Sequence, residues 1–349
     1  MKIVSVVGAR PQFIKAAAVS RILRRRHEEI LVHTGQHYDP LLSDVFFAEL
    51  DLPAPDHHLG VGSDSHARQT ARMLEGIEEV LLAERPDRVL VYGDTNSTLA
   101  GALAAAKLGL PLAHVEAGLR SYDRSMPEEL NRVLTDHCAD LLFCPSATAV
   151  DNLAREGISA GVHLVGDVMY DSLLQQAQAL DDASLSRWQL ASGQYALATV
   201  HRAANTDDPS RLGSILAGLG HLAEPVLLPV HPRTRKAMLA AGLEAPANVG
   251  LVDPLGYRDM LLLEKNARCV LTDSGGVQKE AFFFAVPCVT LRDETEWPET
   301  VACGWNALAG CDAERIVAAA ARPMPLGARP QLFGDGHAVE RIVEVLDNR

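Results

Sequence analysis

The sequence has no long hydrophobic run, few aromatic residues and fewer basic than acidic side chains. No apolar stretch approaches the roughly 20 residues that cross a bilayer, so we expect no membrane span. Aromatic residues make up 5% of the chain and hydrophobic residues 48%, which predicts aliphatic cores. The formal net charge of −13 disfavours nucleic acid and anionic lipid as partners, and any anionic ligand therefore needs a local positive site.

The six cysteines are scattered and form no C-x-x-C pair. This spacing indicates neither a zinc site nor a disulfide framework, and it favours reduced thiols in a cytoplasmic protein. The N-terminus joins one lysine to a short apolar run that Arg10-Pro11 interrupts, which favours a buried first strand over a signal peptide. The chain also lacks G-x-G-x-x-G, G-x-S-x-G and the P-loop pattern, and so carries none of those three fingerprints.

Short apolar runs alternate with helical patterns along all 349 residues, which is typical of parallel α/β sheets. The alternation starts again in the second half, after a weakly patterned stretch at 175–194. A chain of this length is expected to form about two cores. We therefore predict two doubly wound Rossmann-like domains, at 1–167 and 168–349, that face each other across a cleft. The last helix is a candidate for packing back on the first domain.

Polar loops directly follow the predicted strands. Since α/β sheets bind ligands at the carboxyl ends of their strands, we expect these loops to form one composite site. The loops are Gly8–Gln12, Gly93–Asn96, Glu116–Arg120, His201–Asn205, His231–Thr234 and Asp273–Gly276.

One strand-to-helix loop has the chemistry of a phosphate site. Ser274, Gly275 and Gly276 precede a helix whose N–H groups and partial positive charge favour an anion. The glycines also allow the backbone to approach a ligand closely. Glu280 lies one helical turn further on, where its carboxylate can accept hydrogen bonds from ribose hydroxyls. An ordinary turn is the alternative interpretation of this loop.

Basic and imidazole side chains follow other strands. Arg10 and Lys15 lie at the start of the first helix and supply the positive charge that a diphosphate requires. His201 and His231 end strands of the second domain, each near an arginine, where histidine can stabilise or protonate a leaving phosphate. Neither histidine has the carboxylate or cysteine spacing of a metal site.

Carboxylates make up a third group of candidates. Asp94 either caps a helix or takes part in chemistry. Glu116 ends a strand among apolar neighbours, which favours a functional role. Glu128 and Glu129 follow Pro127 in the first turn of a helix, where one of them can simply complement the helix dipole. Carboxylates gathered in a dry cleft can have their pKa values pushed apart, which yields an acid and a base for proton transfer.

In combination and in this order, the motifs resemble those of the non-hydrolysing UDP-N-acetylglucosamine 2-epimerases, through essentially the whole chain. The motifs are Gly8–Lys15, Thr34–His37, Gly93–Thr95, His114–Arg120, Pro127–Arg132, His201-Arg202, Asp273–Glu280 and Arg292-Asp293. The resemblance implies a GT-B-like fold and a cytoplasmic homodimer that uses neither a metal nor a redox cofactor. It also implies a UDP-sugar as the partner and a place in bacterial surface-polysaccharide synthesis.

The reaction implied by the resemblance interconverts UDP-GlcNAc and UDP-ManNAc. A base takes the C2 proton while UDP leaves C1, and the 2-acetamidoglucal then regains a proton on the opposite face and UDP at C1. Asp94, Glu116 and Glu128 are the implied acid/base carboxylates, and His201 is the implied essential histidine near the diphosphate. The implied substrate-binding residues are Arg10, Lys15, His231, Leu255, Met260, Ser274, Gly275, Gly276, Glu280 and Arg292.

Several positions depart from the family pattern. Ala204 stands where glutamate is frequent after His-Arg-x, and Trp297 stands where arginine is common near the uracil. Some members have an allosteric UDP-GlcNAc site. Gln36, His37 and Arg72 match that site, while Asp39 stands where glutamine is usual.

Other substrates and classes stay open. Short sequence segments, such as residues 8–13, are similar to those of a sub-branch of the family that acts on UDP-2,3-diacetamido-2,3-dideoxyglucuronate. The carboxylate at C6 of that sugar would require another cation in the site, for which Arg120, Arg124 and Arg292 are candidates. A GT-B glycosyltransferase would share the fold and the UDP site but needs one catalytic base at most. A hydrolysing epimerase or a catalytically inactive nucleotide-sugar sensor are the remaining alternatives.

Overall fold

The computed structural model describes residues 1–36 and 49–348, which fold into two α/β units. Unit 1 comprises Met1–Leu174 together with the C-terminal segment from Gln331, and unit 2 comprises Gln175–Pro330. No described helix is long and apolar enough to cross a membrane. The division into two units agrees with the two cores that the length and the repeated pattern of the sequence predict.

Unit 1 is built on a parallel sheet. Its elements are β1 (Lys2–Val7), α1 (Arg10–Leu23), β2 (Glu28–His33), β3 (His57–His58), α2 (His66–Glu84), β4 (Arg88–Tyr92), α3 (Asn96–Leu108), β5 (Leu112–Val115), α4 (Pro127–Cys138), β6 (Leu141–Cys144), α5 (Ala147–Arg155), β7 (Val162–Leu164) and α6 (Val168–Ala177). The described strands are ordered β3-β2-β1-β4-β5-β6-β7, and all pairs are parallel. The strand order reverses between β1 and β4, which is where open α/β sheets bind ligands.

The central strands of unit 1 are short apolar runs because helices cover the sheet. Strand β4 is buried along its whole length, and β1 along all but its first residue. Val4, Val6, Val89 and Val91 form one core with apolar side chains of α2 such as Met73. This packing holds the carboxyl ends of β1 and β4, and the loops that follow them, side by side.

Unit 2 repeats the architecture on a smaller sheet. Its elements are a 3₁₀ helix (Asp182–Trp188), β8 (Ala196–Thr199), α7 (Ala203–Thr206), α8 (Pro209–Gly220), β9 (Val226–Pro229), α9 (Pro232–Ala241), β10 (Val249–Val252), α10 (Tyr257–Asn266), β11 (Cys269–Thr272), α11 (Gly275–Phe283), β12 (Cys288–Thr290), α12 (Pro298–Ala302), β13 (Asn306–Leu308) and α13 (Ala313–Ala320). The described strands are parallel and ordered β10-β9-β8-β11-β12-β13. Two aliphatic clusters form its core. The order again reverses, between β8 and β11.

The C-terminal helix α14 (Ala338–Asp347) belongs to unit 1. Asp171 of α6 caps its start, since Oδ2 of Asp171 accepts the Val339 N–H at 2.8 Å. At its other end, Arg26 donates to Asp347 over 2.5 Å. Polar contacts at both ends thus fix this helix on unit 1.

The boundary in the structure differs from the predicted domains at 1–167 and 168–349. Unit 1 continues to Leu174, inside α6. It also includes the segment with α14, the helix predicted as a candidate for packing back on the first domain. The reason is local packing, because the apolar side chains of α14, such as Ile342 and Leu346, are buried. Hydrophobic periodicity predicts such an amphipathic helix but does not say which core it covers.

Candidate active site

Gln12 joins the loop after β1 to the loop after β4. Its Oε1 accepts the N–H groups of Gly8 at 2.8 Å and Ala9 at 3.0 Å. Its Nε2 donates to the carbonyl oxygen of Tyr92 and to Oγ1 of Thr98, both at 3.0 Å. The side chain is buried, so these bonds fix two strand-end loops against each other.

Gly8 lies where the ends of β1, β2 and β4 meet. A Cβ at Gly8 would come within 2.1 Å of Thr34 Oγ1 and of Ser97 Oγ. These two hydroxyls are 2.8 Å apart, and Gln36 accepts from Ser97 Oγ at 2.8 Å. Glycine is therefore required at residue 8 because the neighbouring hydroxyls fill the space of a side chain.

Glu116 and Lys15 form a buried ion pair at these strand ends. Lys15 Nζ lies 2.5 Å from Glu116 Oε1, and the two side chains are only 5% and 7% exposed. A Cβ at Gly93 would lie 3.0 Å from Lys15 Nζ and 3.6 Å from Glu116 Oε1. The pair thus lies against the backbone that leads into Asp94. The sequence places Lys15 among the phosphate ligands, whereas in the structure its ammonium contacts a carboxylate.

Asp94 is linked to α4 by Arg132. Nη2 of Arg132 donates to Oδ2 of Asp94 at 2.6 Å, and Asn131 Nδ2 donates to the Asp94 carbonyl oxygen at 2.9 Å. The Asp94 side chain remains 30% exposed. The cap of α3 is Thr95, whose side chain accepts the Thr98 N–H. The alternative in which Asp94 serves as the helix cap is therefore wrong.

Glu129 has a structural role that separates it from Glu128. The carboxylate of Glu129 accepts the N–H groups of Ser121 and Tyr122, each at 2.9 Å, and also binds Arg132. Glu129 is buried, whereas Glu128 is half-buried in the first turn of α4. The structure thus assigns the loop contact to Glu129, and Glu128 stays the candidate for chemistry.

Asp273 fixes the backbone of His201 in unit 2. Its fully buried carboxylate accepts the N–H of His201 at 3.0 Å, the N–H of Arg202 at 2.9 Å and Nδ2 of Asn205 at 3.1 Å. Nδ1 of His201 lies 3.3 Å from Asp273 Oδ1, and 39% of the His201 side chain is exposed. Asp273 therefore holds His201 at the end of β8 with its ring partly open to solvent.

Ser274 caps the helix that follows Asp273. Its Oγ accepts the Val277 N–H at 3.5 Å, and its own N–H donates to Thr272 Oγ1 at 2.9 Å. Gly275 and Gly276, in the first turn of α11, are half-buried. Their backbone is accessible at a helix N-terminus, which is the arrangement that favours an anion.

Aromatic and acidic side chains flank this helix start. A Cβ at Gly275 would lie 3.6 Å from both Trp297 Nε1 and Glu296 Oε2. Lys279 Nζ lies 4.1 Å from the centroid of the Trp297 ring, which makes a cation–π contact. Glu280, one turn into α11, is 5% exposed.

The other predicted substrate ligands of unit 2 lie in varied surroundings. His231 caps α9 and is exposed, with its ring centroid 5.8 Å from that of His201. Met260 is buried in an aliphatic cluster on which Leu255 packs. Arg292 is buried and donates to Glu296 at 2.9 and 3.0 Å and to Glu294.

A family model described as UDP-N-acetylglucosamine 2-epimerase matches residues 21–347. The chain belongs to the UDP-N-acetylglucosamine 2-epimerase family. It is 52% identical to a UDP-N-acetylglucosamine 2-epimerase homolog of Methanococcus maripaludis, over 100% of both chains. It is 51% identical to the UDP-2,3-diacetamido-2,3-dideoxy-D-glucuronate 2-epimerase of Pseudomonas aeruginosa, over 99% of both. The resemblance inferred from the motifs is thereby confirmed.

Solved structures confirm the fold. The UDP-GlcNAc 2-epimerase of Methanocaldococcus jannaschii, in complex with UDP-GlcNAc and UDP, superposes with a TM-score of 0.93 at 42% identity over 100% of both chains. A calicheamicin glycosyltransferase, at 16% identity and a TM-score of 0.50, shares the fold alone. The prediction of a GT-B-like α/β fold with two Rossmann-like domains is therefore confirmed.

The residues predicted for the family's allosteric site are only partly described. Gln36 is half-buried and holds Ser97 at the strand ends. Arg72 is on α2 with 58% of its side chain exposed, and it contacts Asp64 at 3.2 Å. His37, like Asp39, lies outside the described residues.

Two further residues of the site were not singled out from the sequence. Gln12 links two strand-end loops, and Arg132 binds the candidate acid/base residue Asp94. Both lie inside the motifs Gly8–Lys15 and Pro127–Arg132, which was the only signal available. Within the described part of the chain, no group of three or more His, Cys, Asp or Glu residues could hold a metal ion.

Proposed function

We propose that this protein inverts C2 of a UDP-N-acetylhexosamine, converting UDP-GlcNAc to UDP-ManNAc for the synthesis of a bacterial surface polysaccharide. The observation that carries the proposal is the Glu116–Lys15 pair beside the Gly93-Asp94 turn, in a chain of the epimerase family. Carboxylates at strand ends suit the proton transfers that inversion at C2 requires.

The proposed reaction is an elimination followed by re-addition. A carboxylate takes the proton from C2, the C1–O bond breaks, and UDP leaves with the bonding electron pair, which yields a 2-acetamidoglucal. A second carboxylic acid returns a proton to the opposite face of C2, and the UDP oxygen adds back at C1. Asp94, Glu116 and Glu128 are the proposed acid/base residues. No electron is gained or lost overall, so the proposal includes no redox cofactor, and it includes no metal.

Unit 2 is proposed to bind the UDP part of the substrate. The helix start at Ser274, Gly275 and Gly276 would hold phosphate, and Glu280 would accept from the ribose. His201 would stabilise the departing diphosphate, because Asp273 already fixes its backbone. The further substrate-binding residues proposed are Arg10, Lys15, His231, Leu255, Met260 and Arg292.

Product analysis with UDP-GlcNAc as the sole substrate tests this function against its alternatives. We expect a reversible mixture of UDP-GlcNAc and UDP-ManNAc. A glycosyltransferase would leave the sugar unchanged because it lacks an acceptor, and a hydrolysing epimerase would release UDP and free ManNAc irreversibly. Either of those results would overturn the proposal.

A second sugar has support from one relative. The 51% identity to the diacetamido-glucuronate epimerase exceeds the 43% identity to the UDP-N-acetylglucosamine 2-epimerase of M. jannaschii. Of the cations considered for a C6 carboxylate, Arg120 and Arg292 are buried and bind carboxylates, while Arg124 is exposed. Parallel assays with UDP-GlcNAc and the 3-acetamido uronate would identify the preferred sugar as the one with the higher kcat/KM.

We further propose that the protein is a cytoplasmic homodimer that binds neither nucleic acid nor membranes. Leu130 and Leu134 on α4 are 50% and 40% exposed, and Leu130 lines an apolar cavity of about 380 Å³ with residues such as Ala67 and Leu99. Sedimentation should give a dimer for the wild type and a monomer for the Leu130→Glu variant. A monomeric wild type would contradict this assembly.

A further inference from the structure

His114 lies at the centre of a buried hydrogen-bond network in unit 1. Its side chain is on β5, fully buried, two positions before Glu116. Nδ1 lies 2.7 Å from Oδ1 of Asp136, and Nε2 lies 2.7 Å from the carbonyl oxygen of Gly93. Both ring nitrogens are therefore at hydrogen-bond distance from oxygen atoms.

These partners decide how many protons the imidazole carries. The Gly93 carbonyl oxygen only accepts, so Nε2 must carry a proton. Oδ2 of Asp136 already accepts the Gly118 N–H at 3.1 Å and Arg120 Nη1 at 2.7 Å, and so has no place for a proton. Another proton must lie between Nδ1 and Oδ1, because two bare acceptors would repel each other at that distance.

The charges around Asp136 place that proton on the ring of His114. Burial alone raises the pKa of Asp136, but the charge and hydrogen bond of Arg120 lower it, and Arg120 and the Gly118 N–H both donate to Oδ2, which favours an ionised carboxylate. Arg120 also binds Glu156, through Nε at 2.7 Å and Nη2 at 2.8 Å. Two cations thus face two carboxylates, of which Asp136 is fully buried and Glu156 is partly exposed.

The same network fixes the backbone of Gly93, the residue before Asp94. Gly93 directly precedes Asp94 and adopts a left-handed conformation with a φ of 63°. Its N–H donates to the Val115 carbonyl at 3.0 Å, and its carbonyl accepts from His114. Both polar backbone groups of Gly93 are therefore fixed by consecutive residues of β5.

The network also holds the backbone that follows Glu116. Asp136 accepts the N–H of Gly118, which lies two positions after Glu116. A Cβ at Gly118 would come within 2.4 Å of the Ala149 carbonyl oxygen, so this turn has no room to shift towards α5. The two partners of His114 are the Gly93 carbonyl, before Asp94, and Asp136, which holds Gly118 after Glu116. Loss of the charge on His114 would weaken both hydrogen bonds and so loosen both backbone segments.

We propose that His114 is a protonated imidazolium that positions Asp94 and Glu116 without touching the substrate. This inference rests on the proposed function, which assigns those two carboxylates to acid/base chemistry. A buried ring that bridges the two segments sets the distance between them, and a misplacement of about 1 Å can cost a reaction roughly 100-fold.

The protonation state can be measured on the unliganded protein by ¹⁵N NMR of its histidine side chains. We expect both nitrogens of His114 to have the chemical shifts of protonated nitrogen. His33 provides an internal control, because its Nδ1 accepts the Gly35 N–H at 2.8 Å and so carries no proton. A bare nitrogen on His114 would overturn the inference, whatever the enzyme's activity.

A pair of matched variants tests the positioning role. His114→Gln removes the charge and one of the two bonds, and should lower kcat at least about 100-fold while the Kd for UDP stays within about threefold of the wild type. His137→Gln is the control, because His137 lies 3.4 Å from Glu156 on the exposed side of the network. It should keep kcat near the wild-type value.

Two results separate this inference from the proposed function. If His114→Gln keeps kcat within about threefold of the wild type, the positioning role is wrong although the function stands. If the wild type itself does not invert C2, the proposed function fails, and the NMR result still decides the charge of His114. If His114→Gln unfolds, His114→Asn repeats the test with a smaller side chain.

Discussion

Glu116 has a backbone conformation that few residues other than glycine adopt. Its φ is 72°, and its N–H and that of Ala117 both donate to the Phe143 carbonyl at 3.1 Å. Such a conformation costs about 1–3 kcal/mol and persists mainly where function requires it. The strain agrees with the hypothesis, made from the sequence, that a carboxylate ending an apolar strand has a functional role.

Replacing Glu116 with glutamine should remove the acid/base group and keep its shape. We expect Glu116→Gln to lower the rate of C2 proton exchange by at least about 100-fold, since an amide can neither take nor return the proton. UDP binding, measured by calorimetry, should change little. Glu78→Gln, an exposed position on α2, is the control. Normal exchange in Glu116→Gln would refute the acid/base assignment.

The sequence suggests a functional role where it leaves a side chain without a local explanation. Glu116 is such a case, and its acid/base role stays a prediction. Local sequence could not separate Glu128 from Glu129, which became distinct once Glu129 was seen to bind Ser121 and Tyr122. The pairing of Asp94 with Arg132 was also invisible, because a contact between residues 38 positions apart has no local pattern.

At the level of elements, Gly8 decides whether three strand ends can meet. Gly8→Ala would place a methyl group 2.1 Å from Thr34 Oγ1 and Ser97 Oγ, and should lower the free energy of unfolding by about 1–3 kcal/mol. Gly213→Ala is the matched control in α8, where the new methyl would meet Leu243 at 3.4 Å and should be neutral or stabilising by about 0.5–1 kcal/mol. Equal urea midpoints for the two variants would contradict this packing.

The junction between α6 and α14 should depend on pH through Asp171. Burial raises the pKa of Asp171 from 3.8 to about 6, against the opposing N–H bonds from Val339 and Ala338. Since the folded protein holds the proton more tightly, this carboxyl contributes about 2–3 kcal/mol below about pH 4, which is lost as the pH rises through about 6.

Asp171→Asn should abolish that dependence, because asparagine does not titrate and still caps α14. Relative to the wild type, the variant should gain stability as the pH rises from about 4 to about 7 in thermal unfolding. Parallel pH profiles of the two proteins would show that Asp171 is not the group responsible.

Elements were predictable where they consist of apolar runs or long periodic segments. Strands β1 and β4 belong to this group, since burial on both faces of the sheet leaves continuous apolar sequence. Strand β3, with only His57 and His58, has no such signal. It pairs with β2 through the backbone alone, which side-chain patterns do not report.

At the scale of the whole molecule, the repeated pattern predicted two parallel α/β sheets, and the fold of the solved relatives confirms this. The assignment of the chain to its two units was predicted in part, since the last helix was a candidate for packing back on the first domain but the boundary was placed before α6. Helix α6 carries the chain past the predicted boundary, and α14 belongs to unit 1. Which core an amphipathic helix covers depends on contacts between distant segments, as the hydrogen bond from the Val339 N–H to Asp171 illustrates.

The measurement that tests the central claim most directly is NMR of the wild-type protein with UDP-GlcNAc in D₂O, run in parallel with the 3-acetamido uronate. The proposed function predicts deuterium at C2 together with the manno epimer of at least one of the two sugars. If UDP binds while neither sugar exchanges its C2 proton, the acid/base assignment is wrong and the protein is not an epimerase of these substrates.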